Sequence, residues 1–196
     1  MDSADHMTRS IELAVTAIRG ADPARFAGPS PCSDYTVEQT VNHLAFGLLL
    51  AQRAGERQAW DPEWKGDDRA PFLVDQPVQR WPELVARQGE ATARAWADPQ
   101  AWEGTTTFGG GEMPAAAVGS MMTAEFVVHA WDVAVATGQT VEVPEALGQR
   151  VLEGVLAIAP MGREGGWFGP QVQVRADATA FDRALAASGR DPRWTP

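Results

Sequence analysis

The chain has 196 residues, of which 44% are hydrophobic and 21% charged, and its formal net charge at pH 7 is −10. A chain of this size can bury a well-sized core, and we predict a single domain over residues 1–196. The acidic balance lacks the basic footprint of nucleic-acid-binding proteins and disfavours an anionic membrane surface. The apolar runs are too short to span a bilayer, and the polar start shows no signal peptide, so we expect a cytoplasmic protein.

Hydrophobic spacing and helix-breaking residues predict an all-α protein with five or six helices. Glycine and proline divide the chain into short blocks, and most blocks have apolar residues at helical intervals. In the first half, the predicted elements are helices over 8–20, 37–54 and about 80–97, with a long loop over 55–79 before the third helix. A loop over 103–114 follows, whose three threonines favour an extended segment, and then a helix over 115–137. The last elements are a helix that opens at Pro144 and closes at Pro160 and Gly162, a short extended segment over 172–174, and a short helix over 179–188.

The second helix is predicted to be central, because it has apolar residues on two sides. Thr36 and Gln39 form a capping-box pattern at its start. His43 lies within one of the apolar stripes. We therefore predict that the His43 side chain points into the interior.

The helix over 115–137 contains the most informative pair of side chains. Glu125 and His129 are four residues apart, so their side chains lie roughly 40° apart on one helical face. Asp132 is close to the same face, whereas Trp131 lies on the opposite side from Glu125 and is assigned to packing. A carboxylate and an imidazole among Met and Val side chains must be paired or metal-bound, because burying them bare is costly.

The chain has only three histidines. His6 falls in the predicted N-terminal tail, which leaves His43 and His129 in structured surroundings. Together with Glu125 they form a 2-His-1-carboxylate set, which leaves positions open for water or substrate and suits Zn(II), Fe(II) or Ni(II). By spacing alone, an ordinary Glu125–His129 hydrogen bond on a partly solvated face is the commoner explanation, and a single His43 is more often a core residue than a ligand.

Other candidate chemistry is weaker. Cys32 is the single cysteine, so a disulfide within the chain is impossible. It precedes a helix N-terminus, where a thiolate nucleophile would be favoured, but a buried structural cysteine is the commoner case. The glycine run 109–111 lacks the Lys-Ser/Thr of a P-loop and the strand-to-helix context of a dinucleotide fingerprint. The eight tryptophans are assigned mainly to packing.

Three separated segments resemble one known family. They are similar to actinobacterial metal-binding proteins related to the N-terminal domain of mycothiol-dependent maleylpyruvate isomerase, within the DinB-like superfamily. The segments are PCSDYTVEQTVNHL (31–44), EFVVHAWDVAVATG (125–138), and a tail with Phe168-Gly-Pro, Ala176-Asp-Ala, Asp182-Arg and Gly189-Arg-Asp-Pro192.

The resemblance implies a DinB-like four-helix bundle with extra short helices and a minor extended segment. It implies that His43, Glu125 and His129 hold a divalent metal, with Asp132 orienting a ligand or anchoring the bundle. Zn(II) is the first candidate, with Ni(II) and Fe(II) as alternatives. Bundles of this superfamily often pair through helix faces, so the resemblance is compatible with a homodimer.

The resemblance also implies a function. Characterised relatives use the metal to deprotonate a low-molecular-weight thiol, mycothiol or bacillithiol, which then adds to an electrophilic small molecule. The expected function is thus a mycothiol-dependent S-transferase or isomerase-like activity. The isomerase carries a second α/β domain, for which 196 residues leave no room, so maleylpyruvate isomerisation itself is not expected. The alternatives are a non-catalytic metal- or ligand-binding bundle, and a metal-free bundle that packs against a partner.

Overall fold

The structure is a computed structural model that describes residues 2–61, 64 and 69–196. Among the described residues, the segments between the helices contain 3₁₀ turns at Pro23–Arg25, Pro71–Leu73, Val78–Arg80 and Pro99–Trp102. The helices and strands in chain order are α1 (Ser3–Gly20), α2 (Val37–Gly55), α3 (Trp81–Ala97), β1 (Thr105–Phe108), β2 (Gly111–Pro114), α4 (Ala115–Ala136), α5 (Glu145–Glu164) and α6 (Ala180–Ala187).

The first four helices form a four-helix bundle. Helices α1 and α2 lie diagonally opposite each other, and each packs against both α3 and α4. Helix α5 packs on the outer side of α4, and α6 packs on α5. The predicted all-α fold is therefore confirmed. In the described part of the chain, no helix is both long and apolar enough to cross a membrane.

Helix α4 lies at the centre of the molecule, and sixteen of its 22 residues are buried. One side contributes to the bundle core, where Phe126 is fully buried. The other side packs with α5 and α6 in a second apolar cluster, to which Trp131 contributes with only 7% of its surface exposed. A helix that is apolar on all sides must be covered on all sides, and this requirement explains why α5 and α6 fold back on α4.

Helix α1 starts earlier than the apolar spacing predicts. Asp2 caps it, and a reciprocal pair of hydrogen bonds between Asp2 and Asp5 completes a capping box. The predicted N-terminal tail is therefore helical, and His6 lies inside α1 with 7% of its surface exposed. The usual capping box has Ser or Thr at the first position and Glu or Gln at the last. Aspartate stands at both positions here, so the sequence pattern did not indicate this helix start and the predicted N-terminal tail was wrong.

The segment predicted as a loop over 103–114 is a β-hairpin. The threonines form β1, which pairs in antiparallel register with β2. The two turn residues, Gly109 and Gly110, have φ of 62° and 83°, as a two-residue hairpin turn requires. The hydroxyl of Thr106 donates a 2.6 Å hydrogen bond to the Ala54 carbonyl, which ties the hairpin to the end of α2.

One prediction near the C-terminus differs from the structure. Helix α5 does not close at Pro160 but continues through it to Glu164. Proline removes one hydrogen bond to the carbonyl four residues earlier, on Leu156, and Leu156 is 53% exposed, so water can replace that bond. The short extended segment predicted over 172–174 is not paired into a strand, and the Val172 amide donates a hydrogen bond to the Ala186 carbonyl.

The long loop predicted over 55–79 includes residues 62, 63 and 65–68, which lie outside the described residues. Its described remainder contains the end of α2 and two 3₁₀ turns, at Pro71–Leu73 and Val78–Arg80.

The closest packing at the start of α4 offers a test of the fold. A Cβ atom on Gly119 would lie 2.4 Å from the Trp102 ring and 2.8 Å from the Trp96 ring. Alanine gains about 1 kcal/mol of helix propensity over glycine, but the 2.4 Å contact puts the cost of overpacking at the upper end of about 1–3 kcal/mol. We expect Gly119→Ala to lower the free energy of unfolding by about 1–2 kcal/mol in urea denaturation. Gly111→Ala is the matched control, because nothing lies within 4 Å of its added Cβ, and equal stability of both variants would contradict this packing.

Candidate metal centre

Two helices of the bundle bring the three predicted ligands together. His43 comes from the middle of α2, and Glu125 and His129 come from consecutive turns of α4. Because α2 packs directly on α4, the three side chains meet between them. One donor atom from each lies within 4.8 Å of the other two, so the set could hold a metal ion.

A single carboxylate oxygen joins the two rings. Glu125 Oε1 lies 2.8 Å from His43 Nε2 and 3.2 Å from His129 Nε2. The two imidazoles meet edge to face, with ring centroids 4.9 Å apart. The donor atoms of the three side chains therefore lie close together, as the ligands of one metal ion must.

The ionisation of the cluster follows from its charges. Burial would raise the pKa of Glu125, but the charge and hydrogen bonds of His129 and His43 outweigh burial and hold that pKa well below its usual range. Burial would lower the pKa of His129, but the carboxylates of Glu125 and Asp132 raise it instead. A cation that binds Nε2 of His129 must therefore compete with protons more strongly than it would at a free imidazole.

Asp132 provides the second carboxylate. Its Oδ2 atom lies 2.9 Å from His129 Nδ1, an ion-pair contact rather than a well-aligned hydrogen bond. Asp132 is fully buried and forms an ion pair with Arg190, which donates hydrogen bonds of 2.8–3.0 Å to both carboxylate oxygens. Burial would raise the pKa of Asp132, but the Arg190 guanidinium lowers it. Asp132 therefore stays ionised beside the ring.

The donor set fits a divalent metal ion. Two imidazole nitrogens and one carboxylate oxygen are the ligands of many catalytic zinc sites. Metal-binding histidines commonly present their second ring nitrogen to a carboxylate, as His129 does to Asp132. The side chains of His43 and Glu125 are 26% and 28% exposed, so the cluster is accessible from one side.

A second cluster shares His129 and consists of Cys32, His129 and Asp132. It is a poorer metal site, because Arg190 already occupies both oxygens of Asp132. Burial and the nearby carboxylates of Asp132 and Glu125 raise the pKa of the Cys32 thiol to about 11, although Arg190 opposes this. The thiol is therefore protonated near neutral pH, which disfavours the nucleophile hypothesis for Cys32.

The structure also separates residues that belong to the site from those that do not. His6 lies beside a small cavity lined by Ser3 and Arg150, away from the cluster. Arg190 lies at the site although sequence reasoning gave it no role. The sequence feature that could have indicated this role is the position of Arg190 just after the predicted last helix, within Gly189-Arg-Asp-Pro192.

Comparison with known proteins places these features in context. The family model described as the mycothiol maleylpyruvate isomerase N-terminal domain matches residues 8–134. Two uncharacterized proteins of Mycobacterium tuberculosis, from strains CDC 1551 / Oshkosh and ATCC 25618 / H37Rv, are each 28% identical over 174 residues. The matched region covers 86% of this chain and 87% of each relative. No solved structure matches the chain.

The raised pKa of Cys32 predicts slow alkylation of the folded protein. Only the thiolate reacts, and a shift from 9.0 to about 11 lowers the thiolate fraction about 100-fold at pH 8. We expect iodoacetamide to modify Cys32 at least that much more slowly in the folded protein than in guanidinium, as measured by mass spectrometry. Equal rates in both states would show that Cys32 is a reactive thiol.

Proposed function

Since the chain belongs to the mycothiol maleylpyruvate isomerase N-terminal domain family, we propose that it binds one divalent metal ion and activates a low-molecular-weight thiol there. His43, Glu125 and His129 are the proposed ligands, with Zn(II) as the first candidate and Ni(II) or Fe(II) as alternatives. Mycothiol is the proposed co-substrate, in an S-transferase or isomerase-like reaction with an electrophilic small molecule. The observation that carries the proposal is the convergence of both Nε2 atoms on one Glu125 oxygen.

Charge and chemistry support a cation at this point. A metal ion bound by the same three side chains would replace the present Nε2–Oε1 contacts between them. A divalent cation there lowers the pKa of a coordinated thiol and favours the thiolate near neutral pH. Glu125 supplies one negative charge at this point, and the second carboxylate, Asp132, is already paired with Arg190.

The exposure of the ligands supports an open rather than a closed site. Structural zinc sites are usually fully enclosed by four protein ligands, whereas catalytic sites keep a position for water or substrate. Here three side chains converge, and His43 and Glu125 keep about a quarter of their side-chain surface exposed, at 26% and 28%. A thiol could approach the site from this exposed side.

Metal content gives the direct test of the proposed ligands. We expect about one divalent metal ion per chain in tag-free protein, and loss of that metal in His43→Ala and Glu125→Gln, because each variant removes a ligand. Elemental analysis after gel filtration measures the stoichiometry and identifies the ion. Affinity should fall as the pH drops through the raised pKa of His129, because protons compete for its Nε2.

His6→Ala is the matched control for this test, since it removes a buried histidine outside the cluster. It should keep the full metal content. Absence of metal from the wild-type protein, even after incubation with Zn(II) or Ni(II), would overturn the proposal, and so would full retention of metal by His43→Ala.

Thiol activation is tested with the metal-loaded protein. We expect mycothiol to produce a thiolate-to-metal charge-transfer band in Co(II)-substituted protein, because the thiol binds at the open side of the site. With 1-chloro-2,4-dinitrobenzene as a generic electrophile, we expect metal-dependent formation of the mycothiol adduct, followed by absorbance.

Metal-free protein and the Glu125→Gln variant are the controls, and neither should accelerate adduct formation. A charge-transfer band without product would indicate a thiol-binding protein without turnover on this electrophile. Absence of both the band and the product would contradict thiol activation while leaving the metal site itself intact.

A further inference from the structure

We propose that Arg190 is a positioning residue for the metal centre: it fixes the carboxylate of Asp132, which in turn fixes the ring of His129. The inference rests on the proposed function, because it concerns how one proposed ligand is held. Arg190 lies beyond residue 134, where the match to the family model ends. We refer to Arg190, Asp132 and His129 as the buried relay.

The first contact of the buried relay is the Arg190–Asp132 pair. Arg190 Nε lies 2.9 Å from Oδ1 and 3.0 Å from Oδ2 of Asp132, and Nη2 lies 2.8 Å from Oδ2. A further hydrogen bond of 3.2 Å joins Nη1 to the Ser188 hydroxyl. The two side chains are 6% and 0% exposed, so water cannot compete for them. This fork-shaped pairing leaves the carboxylate little freedom to rotate.

The second contact transmits that restraint to the metal ligand. The same Oδ2 atom that accepts from Arg190 Nη2 lies 2.9 Å from His129 Nδ1. A carboxylate beside Nδ1 favours the proton on that nitrogen and leaves Nε2 to face Glu125 and any bound cation. The position of the guanidinium therefore influences both the orientation and the tautomer of the ring.

The backbone conformation around residue 189 directs the Arg190 side chain into the interior. Gly189 ends α6 with φ of 89°, a conformation that glycine adopts without strain. A Cβ atom on Gly189 would lie 2.7 Å from the backbone of Gly169, so the two segments touch directly. The amide of Arg190 then donates a 2.9 Å hydrogen bond to the Leu185 carbonyl. The C-terminal region thus contributes a side chain to the site through its contact with Asp132.

A purely structural role for the Arg190–Asp132 pair predicts a different outcome. In that case the pair would only join α4 to the C-terminal segment, and any folded variant would keep its metal affinity. The double variant Asp132→Asn/Arg190→Met separates the two roles, because it removes both buried charges together and avoids leaving one unpaired. Thermal unfolding of the metal-free protein establishes that the variant is folded.

We expect the folded double variant to bind Zn(II) about 10- to 100-fold more weakly than the wild type in a chelator competition assay, because His129 loses its orienting carboxylate. Arg190→Lys keeps the cation but not the fork, and should show a smaller loss. Arg163→Met is the matched control, since Arg163 lies in the same region and donates a hydrogen bond to the Ala187 carbonyl, and its affinity should equal that of the wild type. A double variant with wild-type affinity would overturn the inference.

A second measurement does not depend on metal. In ¹H–¹⁵N spectra of metal-free wild-type protein, we expect a slowly exchanging Nδ1–H signal from His129, because the ring is buried against Asp132. The signal should broaden or disappear in Arg190→Lys, whereas Arg163→Met should keep it. Its absence from the wild type would overturn the buried relay even if the double variant fails to fold. If wild-type protein shows the signal but binds no metal, the proposed function fails and the positioning of His129 by Arg190 stands.

Discussion

Helix α4 buries ionisable side chains, and each of them needs a partner from another element. The helix is apolar on almost every side, yet it carries Glu125, His129 and Asp132 within two turns. An unpaired charge in such surroundings costs several kcal/mol, so each of these groups needs a partner from another element. Glu125 pairs with His43 on α2, and Asp132 forms an ion pair with Arg190, which follows α6.

These pairings join two parts of the molecule that have separate apolar clusters. The bundle core lies between α1, α2, α3 and α4, whereas the second cluster lies between α4, α5 and α6. His129 touches both parts, because its Nε2 faces the bundle side and its Nδ1 faces Asp132. The C-terminal region therefore does more than bury one side of α4. It contributes the Arg190 guanidinium, which contacts the proposed ligand His129 through the carboxylate of Asp132.

The sequence allowed much of the fold to be predicted, and its errors have local causes. The bounds of α2, α3, α4 and α6 follow from capping residues and breakers that act within a few residues. The start of α1 was missed because aspartates replace the usual capping pair. The end of α5 was misplaced because a proline in a helix is tolerated where water can reach the freed carbonyl, and exposure at Leu156 is a tertiary property.

Sequence spacing alone places Glu125 and His129 on one helical face, because helix geometry fixes the relation of residues four apart. It also indicated that His43 points inward. The contact of one Glu125 oxygen with both imidazoles depends on how the helices pack, and so does the pairing of Arg190 with Asp132, 58 residues earlier in the chain. Hydrogen bonds act over about 3 Å. Only the packing of whole helices determines which distant side chains come that close.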